Sequence, residues 1–286
     1  MPVNSPVITE IGKKTYHINE YGLSSIYLIV GQERALLVDT GAGMCNLSSV
    51  VRRLTFLPYD VVLTHWHPGH SGGMRQFKRV YIHPNDMEKA LAVSEEDRRL
   101  FATKPRETMD QDVWGFDPEK PRKFTGEPEV CELYDHQVFD LGGRKVMVLC
   151  TPGHTEGSCS FLDINARIVI TGDACERHQI VKECPVSTQL RGLFNLHRNK
   201  GAFDRIYGGH INYTTVDRTR SAKPVVLLEN IAACRCILEN NVVRPADRPI
   251  HTEQYGSTTV GTVHMEYDTG MLWEEDENRA PVVVGE

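Results

Sequence analysis

Short apolar runs bounded by glycines or polar residues dominate the start of the chain: Val7 to Ile11, Thr15 to Ile18, Ser25 to Val30 and Ala35 to Val38. Runs of this length and spacing predict strands joined as a meander rather than as βαβ units. A helix is expected from Asn46 to Leu54, with Ser48 and Ser49 near its start, then strands at Asp60 to Leu63 and Val80 to His83. Pro84, Asn85 and Asp86 open a helix whose polar character continues to about Phe101. From about Leu91 to Pro128 the composition turns to charged residues and proline, with Trp114 and Phe116 embedded. This insertion, about 91–128, reads either as a substrate-covering lid or as a solvated loop with two anchoring aromatics.

Strands return at Val130 to Leu133, Gln137 to Asp140, Lys145 to Leu149, Ser158 to Asp163 and Arg167 to Ile170. Pro224 to Leu238 predicts a helix, and Thr258 to Tyr267 alternates as a final strand. Strands then helix, followed by strands then helix, suggests two similar layered halves.

A length of 286 residues with 40% hydrophobic positions can fill a substantial core. The net charge of -6, with no basic stripe to offset it, excludes nucleic acid as the main expected partner. Met1 to Asn19 has no apolar run of signal length, and no stretch approaches the ~20 apolar residues of a membrane span. The expectation is a cytoplasmic protein with no membrane partner. The eight cysteines are scattered and mostly within apolar segments, as buried free thiols are. Cys234 and Cys236 lie in a helical pattern that points them apart, a poor chelate.

The chemistry gathers in turns that follow apolar runs. His65, His67 and His70 stand in Thr64-His65-Trp66-His67-Pro68-Gly69-His70, directly after Val61-Val62-Leu63. His154 stands in Thr151-Pro152-Gly153-His154-Thr155, Asp173 after Thr171-Gly172, and His210 after Tyr207-Gly208-Gly209. Adjacent glycines let the backbone bend and bring such side chains to one sheet edge. Five imidazoles and one carboxylate suffice for two metals, with the carboxylate between them. His17, His83, His136, His197, His251 and His264 lack a ligand-like setting, whereas His178, close after Asp173, could face the site.

Together with Val38-Asp39-Thr40-Gly41, these turns resemble in order the five motifs of the metallo-β-lactamase fold superfamily, over about Val7 to Leu238. The pattern looks most like the glyoxalase II and lactonase branches, which use histidine at the positions of His70 and His210. The resemblance implies an α/β (α+β) fold, a four-layered αββα sandwich forming a single domain over residues 1–286. It further implies two divalent metal ions, zinc or else iron or manganese. His65, His67 and His154 would hold the first, His70 and His210 the second, with Asp173 bridging and Asp39 orienting a ligand. Asp173 and His210 would also serve catalysis. The departure is Gly69, where the family places an aspartate that ligates the second metal and shuttles protons. Its duties would pass elsewhere, with Glu156, His178 and Tyr213 as candidates.

The implied activity is hydrolysis of a small ester-like substrate, a lactone or thioester, by a metal-bound hydroxide. The alternatives are an iron-dependent oxygenase of the same fold, or a degenerate or substrate-trapping form weakened by Gly69. Specificity is expected from the 91–128 insertion and from Arg177 to Asn199, with Trp66, Arg191 and Arg198 as possible pocket residues, and the part after Asn240 could serve a homodimer contact.

Overall fold

A computed structural model describes residues 5–103, 114–210, 221–240 and 255–274. The predicted meander is present as β1 (Val7–Gly12), β2 (Thr15–Glu20), β3 (Ser24–Val30) and β4 (Ala35–Val38), each antiparallel to the next. The chain then passes through α1 (Leu47–Leu54), whose first turn is capped by the Asn46 side chain accepting from Ser49 N. β5 (Tyr59–Val62) follows, then the short α2 (Pro68–Ser71), β6 (Arg79–Ile82), α3 (Pro84–Ala92), α4 (Glu95–Thr103) and β7 (Glu129–Glu132). Strands β4 to β7 pair in parallel and complete a seven-stranded sheet in sequence order.

The second half supplies β8 (Val138–Asp140), β9 (Lys145–Cys150), β10 (Cys159–Asp163), β11 (Ile168–Gly172), β12 (His178–Val181), α5 (Val186–Arg198), β13 (Arg205–Gly208), α6 (Val225–Asn240), β14 (Tyr255–Val260) and β15 (Val263–Asp268). A five-stranded sheet runs β13-β11-β10-β9-β8, and a three-stranded sheet runs β12-β15-β14.

The period-two alternation of the strands assigns the layers. Tyr27, Ile29, Leu36, Val38 and Val62 of the first sheet share one core with Val146, Val148, Phe161, Ile168 and Ile170 of the second. Their alternates Leu28, Leu37 and Val61 pack outward with Val50 and Val51 of α1, and Leu149, Leu162 and Val169 pack with Leu193 and Ile231 of α5 and α6. The fold is thus the four-layered αββα sandwich, held chiefly by fully buried aliphatic side chains worth ~1.5–3 kcal/mol each. Buried Arg144 joins the sheets at one end, donating to Asp163, to Thr15 Oγ1 and, at 3.0 Å, to the Val30 carbonyl.

Three elements differ from the sequence expectation. The helix from Pro84 toward Phe101 is two helices, because Ser94 and Asp97 form a reciprocal cap at 2.9 and 3.1 Å that starts a new one. The final strand Thr258 to Tyr267 is a hairpin, turning at Gly261 with φ 58°. Arg177 to Asn199, where the pattern predicts no regular element, contains β12 and the helix α5, whose Gly192 lies directly against the Pro152 backbone. In the insertion, Trp114 is buried edge-on to Tyr21 at 6.1 Å and Phe116 stacks on Tyr21 at 4.7 Å, so its aromatics are anchors. Residues 104–113 of that insertion lie outside the described residues. Among the described residues no helix is long and apolar enough to cross a membrane.

Candidate metal centre

Strands β5, β9, β11 and β13 all end at the same edge of the sandwich, and every singled-out ligand follows one of these ends. His65, His67 and His70 follow β5, His154 follows β9, Asp173 follows β11 and His210 follows β13. The two sheets are tied there by backbone bonds from Cys159 N to Thr64 O at 2.8 Å and from Ser25 N to Gly209 O at 2.9 Å.

Each of the five imidazoles has one nitrogen held by the surrounding protein. His65 Nδ1 donates to Thr64 Oγ1 (3.0 Å), His67 Nε2 to Glu183 Oε1 (2.5 Å), and His70 Nδ1 to Asp39 Oδ2 (2.7 Å). His154 Nδ1 donates to the Ile180 carbonyl and His210 Nδ1 to the Leu23 carbonyl, both at 2.8 Å. Such partners fix tautomer and ring orientation, as outer groups do around metal-binding histidines.

The remaining nitrogens of His65, His70, His154 and His210 converge on Asp173, and that of His67 faces His154. His67 Nδ1 lies 2.9 Å from His154 Nε2, and His154 Nε2 and His65 Nε2 lie 3.4 and 3.8 Å from Asp173 Oδ2. On the other side His70 Nε2 is 3.4 Å from Asp173 Oδ1, and His210 Nε2 is 3.3 Å from both Asp173 Oδ2 and His70 Nε2. Tetrahedral donors at ~2.0–2.2 Å from a cation stand ~3.3–3.5 Å apart, so both sets have the spacing of a coordination shell. His65 Nε2 is buried with no hydrogen-bond partner, which fits an atom awaiting a cation. Gly209 keeps this space open, since a Cβ there would collide with Asp173 and His70.

The electrostatics agree. Burial pushes His65 well below the usual imidazole range and His154 down to about 4, so both are neutral and carry a free lone pair. Burial alone would lower His70 as well, yet Asp173 and Asp39 raise it to about 10, and Asp173 likewise raises His210. Asp173 is held well below the carboxylate range by His210 and His70 against the effect of burial. A proton on His70 thus supplies positive charge of the kind that a cation would supply in its place.

Of the residues expected to replace the carboxylate at position 69, none described reaches the centre. Glu156 is exposed, Tyr213 lies outside the described residues, and His178 points from β12 to Glu266 Oε1 at 2.8 Å with 62% of its side chain exposed. Arg191 is exposed and pairs with Glu274, and Arg198 is exposed.

Two carboxylates escaped the sequence reading. Glu183 joins His67 to the Trp66 indole (3.2 Å) and Lys89 (3.1 Å); burial would raise its pKa, but His67 and Lys89 hold it at about 2. It lies in Lys182-Glu183-Cys184-Pro185, which carries no motif. Glu176 accepts from His210 N at 3.1 Å, and burial together with Asp173 pushes it up to about 7. Its place three residues after Asp173 was the available signal.

Gly69 is not an open gap. A Cβ built there would lie 2.5 Å from Phe101 Cζ, because the Phe101 ring of α4 covers the space, 6.1 Å from the His210 ring.

The profile of the metallo-beta-lactamase superfamily matches residues 20–198. An acyl-coenzyme A thioesterase, MBLAC2 of Homo sapiens, is 26% identical over 212 residues, covering 68% of this chain and 75% of its own. An atrochrysone carboxyl ACP thioesterase of Claviceps purpurea is 26% identical over 166 residues, covering 57% of this chain and 41% of its own. Among solved structures, an archaeal superfamily protein from Sulfolobus tokodaii aligns with TM-score 0.51 at 18% identity, over 85% of this chain and 90% of that one.

Proposed function

The chain belongs to the metallo-beta-lactamase superfamily, and from that premise we propose that it is a metal-dependent hydrolase of an acyl thioester. The observation that carries this is the set of five imidazoles, each anchored through one nitrogen, of which His65, His70, His154 and His210 present the other to Asp173 and His67 presents it to His154. His65, His67 and His154 would hold one divalent ion and His70 and His210 a second, with Asp173 between them. Zinc suits this nitrogen-rich, redox-neutral donor set. Bound there, such ions would supply a lowered water pKa, toward ~7, and polarisation of an acyl carbonyl.

The protein's own residues do the rest. Glu183 keeps His67 turned so that Nδ1 faces inward, and Asp39 does the same for His70 Nε2. With glycine at 69, Asp173 would be the carboxylate in reach of both donor sets. Phe101 presents an apolar face beside His210, where the acyl part of a substrate would lie.

Gly69 also bears on the choice between thioester and lactone. A thiolate of pKa ~8.5 leaves unprotonated at neutral pH, whereas an alkoxide is a far stronger base and needs a proton donor. A site without the aspartate that elsewhere moves that proton is therefore suited to a sulfur leaving group. The thioesterases among the relatives support the same reading.

The test is hydrolysis of acyl-coenzyme A esters of graded chain length beside matched lactones, with metal content measured on the same preparation. The expected result is thiol release that stops on chelation and returns with zinc. Lactone turnover exceeding thioester turnover would overturn the substrate assignment. Iron with oxygen consumption would overturn the hydrolase itself.

A further inference from the structure

β9 ends and β10 begins with cysteines that the metal chemistry leaves unused. Cys150 and Cys159 are directly opposite in the antiparallel ladder, so their side chains leave the same face. The adjoining rung carries a bond from Thr151 N to Ser158 O, while Cys150 N donates to Asp135 Oδ1 and Cys159 N to Thr64 O. The cysteines thus form the rung without mutual backbone bonds, the kind with Cα atoms ~4.5 Å apart, inside the range of about 4.4–6.8 Å that a disulfide spans.

Both side chains face the core between the sheets, one rung across from each other. Cys159 is fully buried, whereas Cys150 is half-buried. The contacts with Cys159 and His83 hold Cys150 below the usual thiol range, and the contact with Cys150 together with burial pushes Cys159 up. The difference in charge and access assigns attack to Cys150 and resolution to Cys159. Cys45, Cys175, Cys184 and Cys234 are buried thiols whose pKa burial raises.

We propose that Cys150 and Cys159 are a pair reactive toward hydrogen peroxide that closes to a disulfide at the base of the His154 turn. The Cys150 thiolate attacks the peroxide O–O bond, giving a sulfenic acid and one water after protonation of the departing oxygen. Cys159 sulfur then displaces hydroxide from the Cys150 sulfur, forming the S–S bond and releasing a second water with the Cys159 proton. Two thiols are oxidised and one peroxide is reduced, so no further reagent is needed. The bond would enclose Thr151 to Ser158, the turn that presents His154, and Cys159 N already holds the carbonyl just before His65.

The experiment treats the metal-loaded protein with hydrogen peroxide under native conditions, alkylates the remaining thiols and maps the peptides. Two of the eight thiols should disappear into a Cys150–Cys159 link that dithiothreitol reverses. Cys159→Ser should leave Cys150 as a sulfenic acid that dimedone traps, and Cys150→Ser should leave Cys159 unoxidised. Oxidation that falls first on a different cysteine, or a Cys159→Ser protein that dimedone does not label at Cys150, overturns the proposal. Because the readout is sulfur chemistry, it stands or falls separately from thioester hydrolysis.

Discussion

Asp39 Oδ2 lies 2.7 Å from His70 Nδ1, and both side chains are 1% exposed. Asp39 also accepts from Thr64 N at 2.7 Å, and its backbone is left-handed, with φ 67°. One carboxylate thus fixes the His70 ring and the turn leading into His65. Asp39→Asn keeps the size and tolerates that backbone, isolating the charge. Zinc binding at the His70 and His210 side should weaken about 10–100-fold, while the His65, His67 and His154 side changes less. Competition with a calibrated chelator, resolving first and second equivalents, checks this.

Gly69→Asp should not simply restore a fuller site, because Phe101 Cζ lies 2.5 Å from the new Cβ. The single change is expected to cost ~1–3 kcal/mol of stability through overpacking. Adding Phe101→Ala should recover most of that loss and strengthen binding of the second zinc. Equal urea midpoints for the wild type and Gly69→Asp would show that Phe101 does not occupy the space.

His67→Ala and Glu183→Gln should separate a ligand from the group that positions it. The first should abolish activity and lower the bound metal per chain. The second keeps an acceptor for His67 Nε2 but loses the charge that it shares with Lys89. Its metal affinity should fall by about 10-fold with the stoichiometry unchanged. Identical affinities in Glu183→Gln and wild type would remove Glu183 from the site.

His17 gives a pH dependence that needs no metal. It is buried beside Tyr27, with ring centroids 5.2 Å apart, and burial lowers its pKa from 6.5 to about 3. The unfolded chain therefore takes a proton below pH 6.5 that the folded chain refuses until about 3. This contribution to stability is complete above pH 6.5 and is lost as pH falls, by about 2 kcal/mol at pH 5. Unfolding free energies of metal-free protein at pH 7 and 5, taken from urea titrations, should lie closer together in His17→Phe by that amount. A variant with the wild-type slope would assign the acid sensitivity to another group.

The donors and the two layered halves were legible in the sequence because both depend on local pattern, while the four-layered sandwich came from the resemblance of the ordered motifs. Strand alternation separates Leu28 and Leu37 from Ile29 and Leu36, and glycine beside a strand end marks each ligand turn. What escaped depends on distance along the chain. Glu183 reaches His67 across 116 positions and Phe101 reaches Gly69 from a separate helix, and neither lies in a periodic or motif-like setting. The helix α5 was hidden by the Ser, Thr, Gln and Gly residues of its first half, which are buried against other elements. The break between α3 and α4 was legible in Ser94 and Asp97, a spacing that the polar surroundings disguised.

Arg144 fastens the two sheets ahead of β9, whereas the histidines gather beyond the opposite end of that strand. The sandwich therefore resembles a book with a charged binding at its spine and ligands along the fore-edge. Cations held between His65, His67 and His70 of one leaf and His154, Asp173 and His210 of the other would act as the clasp, joining leaves that the spine already holds in register. Stripping the metal should loosen the fore-edge while leaving the binding shut, so amide exchange should quicken around His154 and His210 and stay slow around Val30 and Val146.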